Sequence, residues 1–340
     1  MKSTVKLDTA NFVTSSLPNY VAENRDALVK DVVLGSSTLE RVSIQIGVKY
    51  KAPIRILDFD EELQPMGCDA SAQDENLVFT DREITAPVMG HLVPICEDNL
   101  LGKWGEYAVR ITASDDDLAF EEYVVDAIIA NVHNKLEKLI WQGDTDNSDL
   151  IDGYTTIALA DVPVAQKITL AAGASAYAGI MTAYMALPES AIERAGVEIY
   201  VSPAIYRAFV ADITAGNLYH FNPADATAEE IFLPGAAAKV VKRAGLSGSL
   251  TILATYAKNL YFGCDLENAK EDVRIFYEEK EDKFYAKVKF NAGVQIAFPD
   301  RAVVATFAAA PVAGVPASES LAKIASTVDE DANAINTVTP

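Results

Sequence analysis

Residues 115–142 carry one unbroken apolar stripe, enough for a helix of about 42 Å at ~1.5 Å per residue. Leu118, Val125, Ile128, Ile129, Val132, Leu136, Leu139 and Ile140 recur at spacings that place them on one helical face. Ser114 ahead of Asp115, Asp116 and Asp117 marks the start, a hydroxyl cap followed by acids that complement the helix dipole. Lys135 and Lys138 lie toward the far end, and Gly143 supplies the stop. So long a helix exceeds what a compact two-layer enzyme needs, and predicts a beam across a whole domain.

The segments before it are thin. A helix is expected from Pro18 to about Val33 with Gly35 as its stop, followed by Thr38-Leu39-Glu40-Arg41-Val42. From Ile44 to Ile56 the alternation of Ile44, Ile46, Val48 and Tyr50 predicts one strand, its far end held to an edge by Pro53. Residues 58–75 are polar and acidic, and strand character returns at 76–88, so the whole predicts a long projecting hairpin.

Behind the helix, a polar turn over Asp144–Asp149 opens an α/β region. Ile168 to Leu187 is uncharged over 20 residues, but its seven alanines and the spacing of Tyr177, Ile180, Met181, Tyr184 and Leu187 predict a short strand and a helix stopped before Pro188, not a membrane span. Val197–Val201 reads as a strand, and Ser202-Pro203 as the cap and first residue of a helix through Ile213. Thr251–Ala254 is another strand, with loops at Pro234-Gly235 and Gly245-Leu246-Ser247-Gly248. Period-two patterning at Val273, Ile275, Tyr277 and at Phe284, Ala286, Val288, Phe290, across a charged turn at Glu278–Asp282, predicts a long antiparallel hairpin. Beyond Thr306 the chain reads as a loosely held tail.

The search for chemistry assigns no catalytic, cofactor-binding or metal residue. His91, His133 and His220 lack metal-ligand spacing and read as structural or surface residues. Gly102-Lys103 is followed by Trp104 where a phosphate loop needs Ser or Thr, and Glu97 stands where its first glycine belongs. Gly245-Leu246-Ser247-Gly248-Ser249 fails as a nucleophile elbow, its second glycine one residue early, and reads as a flexible loop. Asp144, Asp146 and Ser148 imitate a calcium loop, but Asp149 replaces the turn glycine and Thr155 the bidentate glutamate. Cys68, Cys96 and Cys264 have no Cys-x-x-Cys spacing, which argues against a disulfide framework or zinc site and for a reducing compartment; Cys264 reads as a core thiol. The first residues lack the apolar run of a signal peptide, so the mature chain is expected to begin near residue 1.

At 340 residues the chain suits about two domains. Its 49 acidic against 28 basic side chains leave a net charge of −21, which argues against a protein that grips phosphate through a basic surface.

Four stretches carry a family resemblance: Trp141-Gln142-Gly143-Asp144 with Asp152-Gly153, Val197 to Pro203, Asn217-Leu218-Tyr219-His220, and Asn259-Leu260-Tyr261-Phe262-Gly263-Cys264-Asp265-Leu266. Together with the order of segments they resemble the major capsid proteins of tailed double-stranded DNA phages, the Hong Kong 97 fold, over about residues 18–306. Leu63-Gln64-Pro65-Met66-Gly67-Cys68 and Phe79-Thr80-Asp81-Arg82-Glu83 are most similar to capsid proteins of crAss-like phages and their relatives of gut bacteria.

The resemblance implies an α+β fold with an N-terminal arm (1–46), an extended loop (47–88), a peripheral domain with its spine helix (89–146 and 272–306), an axial α/β domain (147–271) and a C-terminal tail (307–340). It implies no enzyme activity and no cofactor. Copies would form hexamers and pentamers of an icosahedral head around double-stranded DNA, assembled in the host cytoplasm, with a portal at one vertex. Fewer than 50 residues precede the extended loop, so a scaffolding protein would be separate. Decoration proteins are further expected partners, DNA would be contacted non-specifically, and no membrane is involved. An acidic inner surface would let packaged DNA slide. Some members crosslink a lysine to a neighbour's asparagine; Lys49 and Lys51 lie near the hairpin but read as surface lysines. The rival readings are an encapsulin shell of the same fold, and an α/β enzyme or ligand-binding protein whose Asp144–Asp152 would line a pocket.

Overall fold

The computed structural model describes residues 28, 37–58, 78–96, 120–147, 149–193, 196–216, 230–265, 274–278, 280–281 and 283–311. Strands β1 (Ser43–Ile46), β2 (Lys51–Asp58), β3 (Val78–Thr85) and β4 (Val88–Cys96) precede the long helix α1 (Phe120–Gln142). Then follow α2 (Tyr154–Asp161), β5 (Lys167–Leu170), α3 (Ala176–Met185), the single turn α4 (Glu189–Ile192), β6 (Val197–Val201), α5 (Pro203–Ala215), β7 (Glu230–Phe232) and β8 (Lys239–Lys242). The chain closes with β9 (Thr251–Tyr256), β10 (Leu260–Cys264), β11 (Arg274–Glu278), β12 (Lys283–Ile296) and β13 (Val303–Phe307).

Helix α1 is the expected beam, with 23 residues described, roughly 35 Å long. Val125, Ile129, Val132, Leu136 and Ile140 are buried along it, while Lys135 and Lys138 are exposed. The expected start, from Ser114 to Leu118, lies outside the described residues, as do Gly35, Glu97, Gly102 to Trp104, His220, the acidic stretch 59–77 and the tail from 312. Of the expected Pro18–Val33 helix only Leu28 is described; it is helical and buried in the cluster of α1.

Two sheets flank this beam. The six-stranded sheet, ordered β5-β13-β9-β6-β8-β7, is buried on both faces. Ile199, Val201, Val240, Ile252, Ala254, Val303 and Ala305 pack with α3 and α5, while Tyr200, Val241, Leu253 and Val304 join the cluster of α1. That two-sided burial explains why β6 and β9 read as continuous apolar runs. Helix α5 opens where Ser202-Pro203 predicted, with Ser202 Oγ accepting from the Ile205 N–H, and α3 opens on Ser175 Oγ, which accepts from Ala178 N–H at 3.2 Å. The uncharged stretch is β5 plus α3, and among the described residues no helix is long and apolar enough to cross a membrane.

In the other sheet, ordered β1-β10-β12-β11, the 14-residue β12 also pairs with β4. The expected closing hairpin is β11–β12, in register from Arg274↔Lys287 to Glu278↔Lys283. Sheet membership runs across two expected segment boundaries. Strand β10, counted with residues 147–271, pairs with β12, and β13, counted with residues 272–306, pairs with β5 and β9.

The strand expected from Ile44 to Ile56 is two strands. Gly47 turns the chain at φ +88°, a left-handed conformation that glycine adopts at no steric cost. Gly47 N–H and Val48 N–H both donate to Cys264 O, at 2.8 and 3.1 Å, which ends β1 on the body. The chain then leaves as β2, pairing with β3 from Lys51↔Thr85 to Asp58↔Val78. Pro53 sits in this two-stranded ribbon, where each strand is an edge.

A second correction concerns Gly245. It is no flexible loop but part of a 3-10 turn, Ala244–Leu246, packed so closely on Glu137 O and the Trp141 ring that a Cβ would collide with both.

After α1 the chain reverses through a fully bonded turn. Gly143 N–H donates to Leu139 O at 2.9 Å, and Gly153 N–H to Gly143 O at 2.8 Å. Thr155 Oγ1 and Thr156 Oγ1 donate to Trp141 O and Gly143 O, each at 2.6 Å, satisfying carbonyls that a helix end otherwise leaves open. A Cβ on Gly153 would lie 2.6 Å from Trp141 C and 2.7 Å from Gly143 N, backbone atoms that cannot step aside. Gly153→Ala is therefore expected to cost about 2–3 kcal/mol in urea unfolding of the dispersed subunit, and a loss below about 0.5 kcal/mol would contradict this packing.

Candidate functional site

The functional geometry centres on the C-terminal end of α1, where segments far apart in the chain meet. Trp141 is fully buried, its ring 5.3 Å from Tyr154 at 64° and 5.0 Å from Tyr200 at 51°. Its Nε1–H donates to Thr38 Oγ1 at 2.8 Å, and Thr38 Oγ1 donates to Glu137. Gln142 donates through Nε2 to Gly245 O and, at 3.1 Å, to Ser247 O, while Tyr154 OH donates to Tyr261 O at 3.0 Å. Burial, then the charge of Glu137, pushes the Tyr154 phenol well above its ordinary range; burial, then Glu198, does the same to Tyr200. Both phenols are thus held as protonated donors.

Residues 37–48 run across this end as a strap. Arg243, buried at 2% exposure, donates Nη1 to Ser37 O at 3.0 Å and to Ser37 Oγ at 3.2 Å. Arg41 bridges Glu198, at 2.6 Å, and Glu230, which also pairs with Lys239 at 3.1 Å. Burial alone would raise the Glu230 carboxyl, but hydrogen bonds from Lys239 and Arg41 outweigh it and hold the group below its ordinary 4.5. Asn259, fully buried, donates Nδ2 to Phe298 O at 2.8 Å and accepts from Phe298 N–H at 2.7 Å, fixing the start of β10.

The base of the ribbon is anchored by Arg82, which binds Asp161 on α2 and, at 3.0 Å, Gln295 on β12. Gln295 Nε2 donates to Glu83 O at 2.9 Å, Lys51 pairs with Glu83 at 2.8 Å, and Ile54, Ile84 and Ala297 form a small cluster beneath. A cleft of about 360 Å³ lies alongside, lined by Glu83, Thr145, Asp152, Asp161 and Gln295 among others. This is where the ligand-pocket reading expected Asp144–Asp152, but the carboxylates of Asp144, Asp149 and Asp152 are engaged in the turn. Asp152 Oδ1 accepts from Thr145 N–H and Oγ1 at 2.8 and 2.7 Å, and Asp144 accepts from Asp146 N–H and Asn147 Nδ2.

Cys264 is buried, its thiol pushed up by burial and then by Asp265 to about 11, so it is a protonated core thiol. His91 is lowered by burial and then by Lys135, whose Nζ lies 3.3 Å from Nε2. Among the described residues no three His, Cys, Asp or Glu side chains converge as a metal set.

Of the residues that carried the resemblance, Trp141–Asp144 and Asp152–Gly153 come together as one turn, and Asn259 to Asp265 join the two sheets; residues 217–220 and 63–68 lie outside the described residues. Sequence reasoning missed Thr38, Arg41, Glu137 and Arg243. Glu137 left a signal, four residues before Trp141 and so on the same helical face.

Trp141→Phe and Thr38→Val are each expected to cost about 1–2 kcal/mol, with a coupling of at least about 0.5 kcal/mol in the double-mutant cycle; strict additivity would contradict the shared hydrogen bond. Glu230 also sets an acid limit. Its contribution is complete above about pH 5 and is lost as pH falls through its lowered folded value, because the unfolded chain takes up the proton first. Glu230→Gln should flatten the decline of the unfolding midpoint below pH 5, and an unchanged slope would contradict the pairing.

No known protein family matches the sequence, and no curated protein does. Solved structures match it along most of its length. A chain of the satellite phage P4 procapsid including size determination (Sid) protein superposes with a TM-score of 0.57 over 91% of this chain and 100% of its own, at 11% identity. A chain of Mycobacterium phage Bobi gives 0.51 over 81% and 91%, at 10% identity. The capsid of the native GTA particle gives 0.50 over 80% and 90%, at 13% identity. The mixed helix and sheet architecture of this chain is thus a fold that it shares with phage capsid chains.

Proposed function

We infer that this chain is a structural shell subunit, the major capsid protein of a tailed double-stranded DNA phage, which closes as hexamers and pentamers into an icosahedral head. One observation carries the reading: a beam helix between two sheets, with a ribbon that among the described residues pairs only within itself, matches a procapsid chain over that chain's whole length. In this Hong Kong 97-like reading residues 1–46 are the arm, 47–88 the extended loop, 89–146 with 272–306 the peripheral domain, and 147–271 the axial domain.

The tied-down strap and ribbon base support it, because a shell subunit must keep one rigid shape through many repeated weak contacts. The eight pairs of β2–β3 span about 27 Å at ~3.4 Å per residue, enough to reach over a neighbouring copy. Portal, separate scaffold, decoration proteins and packaged DNA are the partners this role implies. The similarity of residues 63–68 and 79–83 suggests a relative of crAss-like phages.

Negative-stain electron microscopy of the concentrated full chain tests the role. Rings and closed shells are expected, and a variant with residues 57–79 replaced by a short turn, which keeps the anchoring Ile54, Arg82 and Glu83, should keep its helical circular dichroism but close no shell. Compact monomers at every concentration, with or without a scaffolding protein, would contradict the reading. Nuclease-protected DNA inside particles from infected cells marks a phage head, and an enzyme cargo would mark an encapsulin instead.

A further inference from the structure

Two surface features of this chain complement each other and lie on opposite sides of the six-stranded sheet. The first is a groove of about 260 Å³ between α1, β4 and the turn that follows α1. Its floor is Met89, Val132, Leu136 and Phe290, all buried in the cluster of α1, so the groove opens onto the core. Leu139 and Leu150 stand at its rim, and Leu150 is left 56% exposed. Lys135 also lines it and is exposed, with exposed Lys138 one turn further along the helix. Burial, then Lys135, lowers the His91 imidazole, so at neutral pH it accepts from Lys135 Nζ at 3.3 Å and the positive charge there is the lysine's. Asp149, a further lining residue, has its Oδ2 accepting from the Asp144 N–H at 3.1 Å.

The second feature is the tip formed by the end of α3 and the single turn α4. Tyr177, Ile180 and Ala183 bury one side of α3, and Ala191 anchors α4, in the cluster that α3 and α5 make on the sheet. Met185, the last residue of α3, is 75% exposed, and Ile192, which ends α4, is 40% exposed. Glu189 and Glu193 are exposed beside them, four residues apart. The tip is therefore apolar with a negative flank, and the groove apolar with a positive one. The sheet separates the cluster beneath the tip from the cluster beneath the groove, so no copy can seat its tip in its own groove.

We propose that the tip of one copy docks in the α1–β4 groove of a second copy, Met185 entering beside Leu139 and Leu150 while Glu189 and Glu193 meet Lys135 and Lys138. A thioether side chain is flexible enough to fill an irregular apolar groove. Each copy carries a net charge of −21, so copies repel at a distance, and a contact that sets bases against acids supplies the local attraction that fixes their register. Tip and groove are different surfaces, so the contact is heterologous. Each copy gives its tip to one neighbour and its groove to another, an arrangement that closes into a ring when the rotation between copies allows. The proposal rests on the shell reading for the fact of assembly, and adds which two surfaces make the contact.

Sedimentation velocity and negative-stain electron microscopy of the full chain over a range of concentrations test it. Lys135→Glu with Lys138→Glu, and separately Glu189→Lys with Glu193→Lys, should each raise the concentration at which rings appear at least about tenfold. The variant with all four changes should return to within about threefold of the wild type, a recovery that misfolding would not give. Met185→Ser, at a position too exposed to support the fold, should raise that concentration at least about threefold. Rings formed by both reversed pairs as readily as by the wild type would overturn this contact and leave the shell role standing. So would a four-change variant that keeps the wild-type circular dichroism yet recovers no assembly. A wild type that stays monomeric at every concentration, with or without a scaffolding protein, would overturn the contact and the shell role together.

Discussion

The buried indole of Trp141 is the constraint on which the rest depends. A ring that large, withdrawn from water at the end of a long helix, needs partners on every side and an acceptor for its N–H. It finds them in Tyr154 from the turn, Tyr200 from the six-stranded sheet and Thr38 from the strap. Removing any one leaves a void or an unpaired buried donor, so strap, helix and sheet keep one relative placement. Gly153 and Gly245 belong to the same constraint, because only glycine lets the returning chain and the 3-10 turn lie against this end of the helix.

From that fixed end the chain extends outward in both directions. The strap leads into β1, which stays on β10, and Gly47 then releases the chain into the ribbon, so the direction in which the ribbon leaves is set by the body. Arg82 reinforces this by tying the ribbon base to α2 and β12 at once. In the proposed shell role such determinacy would matter, since a small error in the angle of the reaching element would grow with every copy added.

What was legible in the sequence is what local chemistry decides. The Ser202-Pro203 start of α5, the bounds of β6, the β11–β12 hairpin and the end of α1 at Gln142 follow from caps, breakers and periodicity within a few residues. Partnership was not legible. An apolar strand buried on both faces carries no mark of which neighbour it takes, so β10 and β13 could not be assigned to their sheets from pattern alone. The break at Gly47 hid inside an alternation that continues on both sides of it. At the site, the turn after Trp141 could be read from its glycines, whereas Thr38, Arg41 and Arg243 act through partners 99 to 206 residues away.

The most direct test of the account is a cryo-electron microscopy reconstruction of particles assembled from this chain. The account predicts that every symmetry-distinct copy holds Trp141 between Tyr154 and Tyr200 with Thr38 on its indole N–H, while the ribbon of each copy lies over a neighbour. Particles whose copies hold the strap away from Trp141, or whose ribbons fold back onto their own bodies, would contradict it.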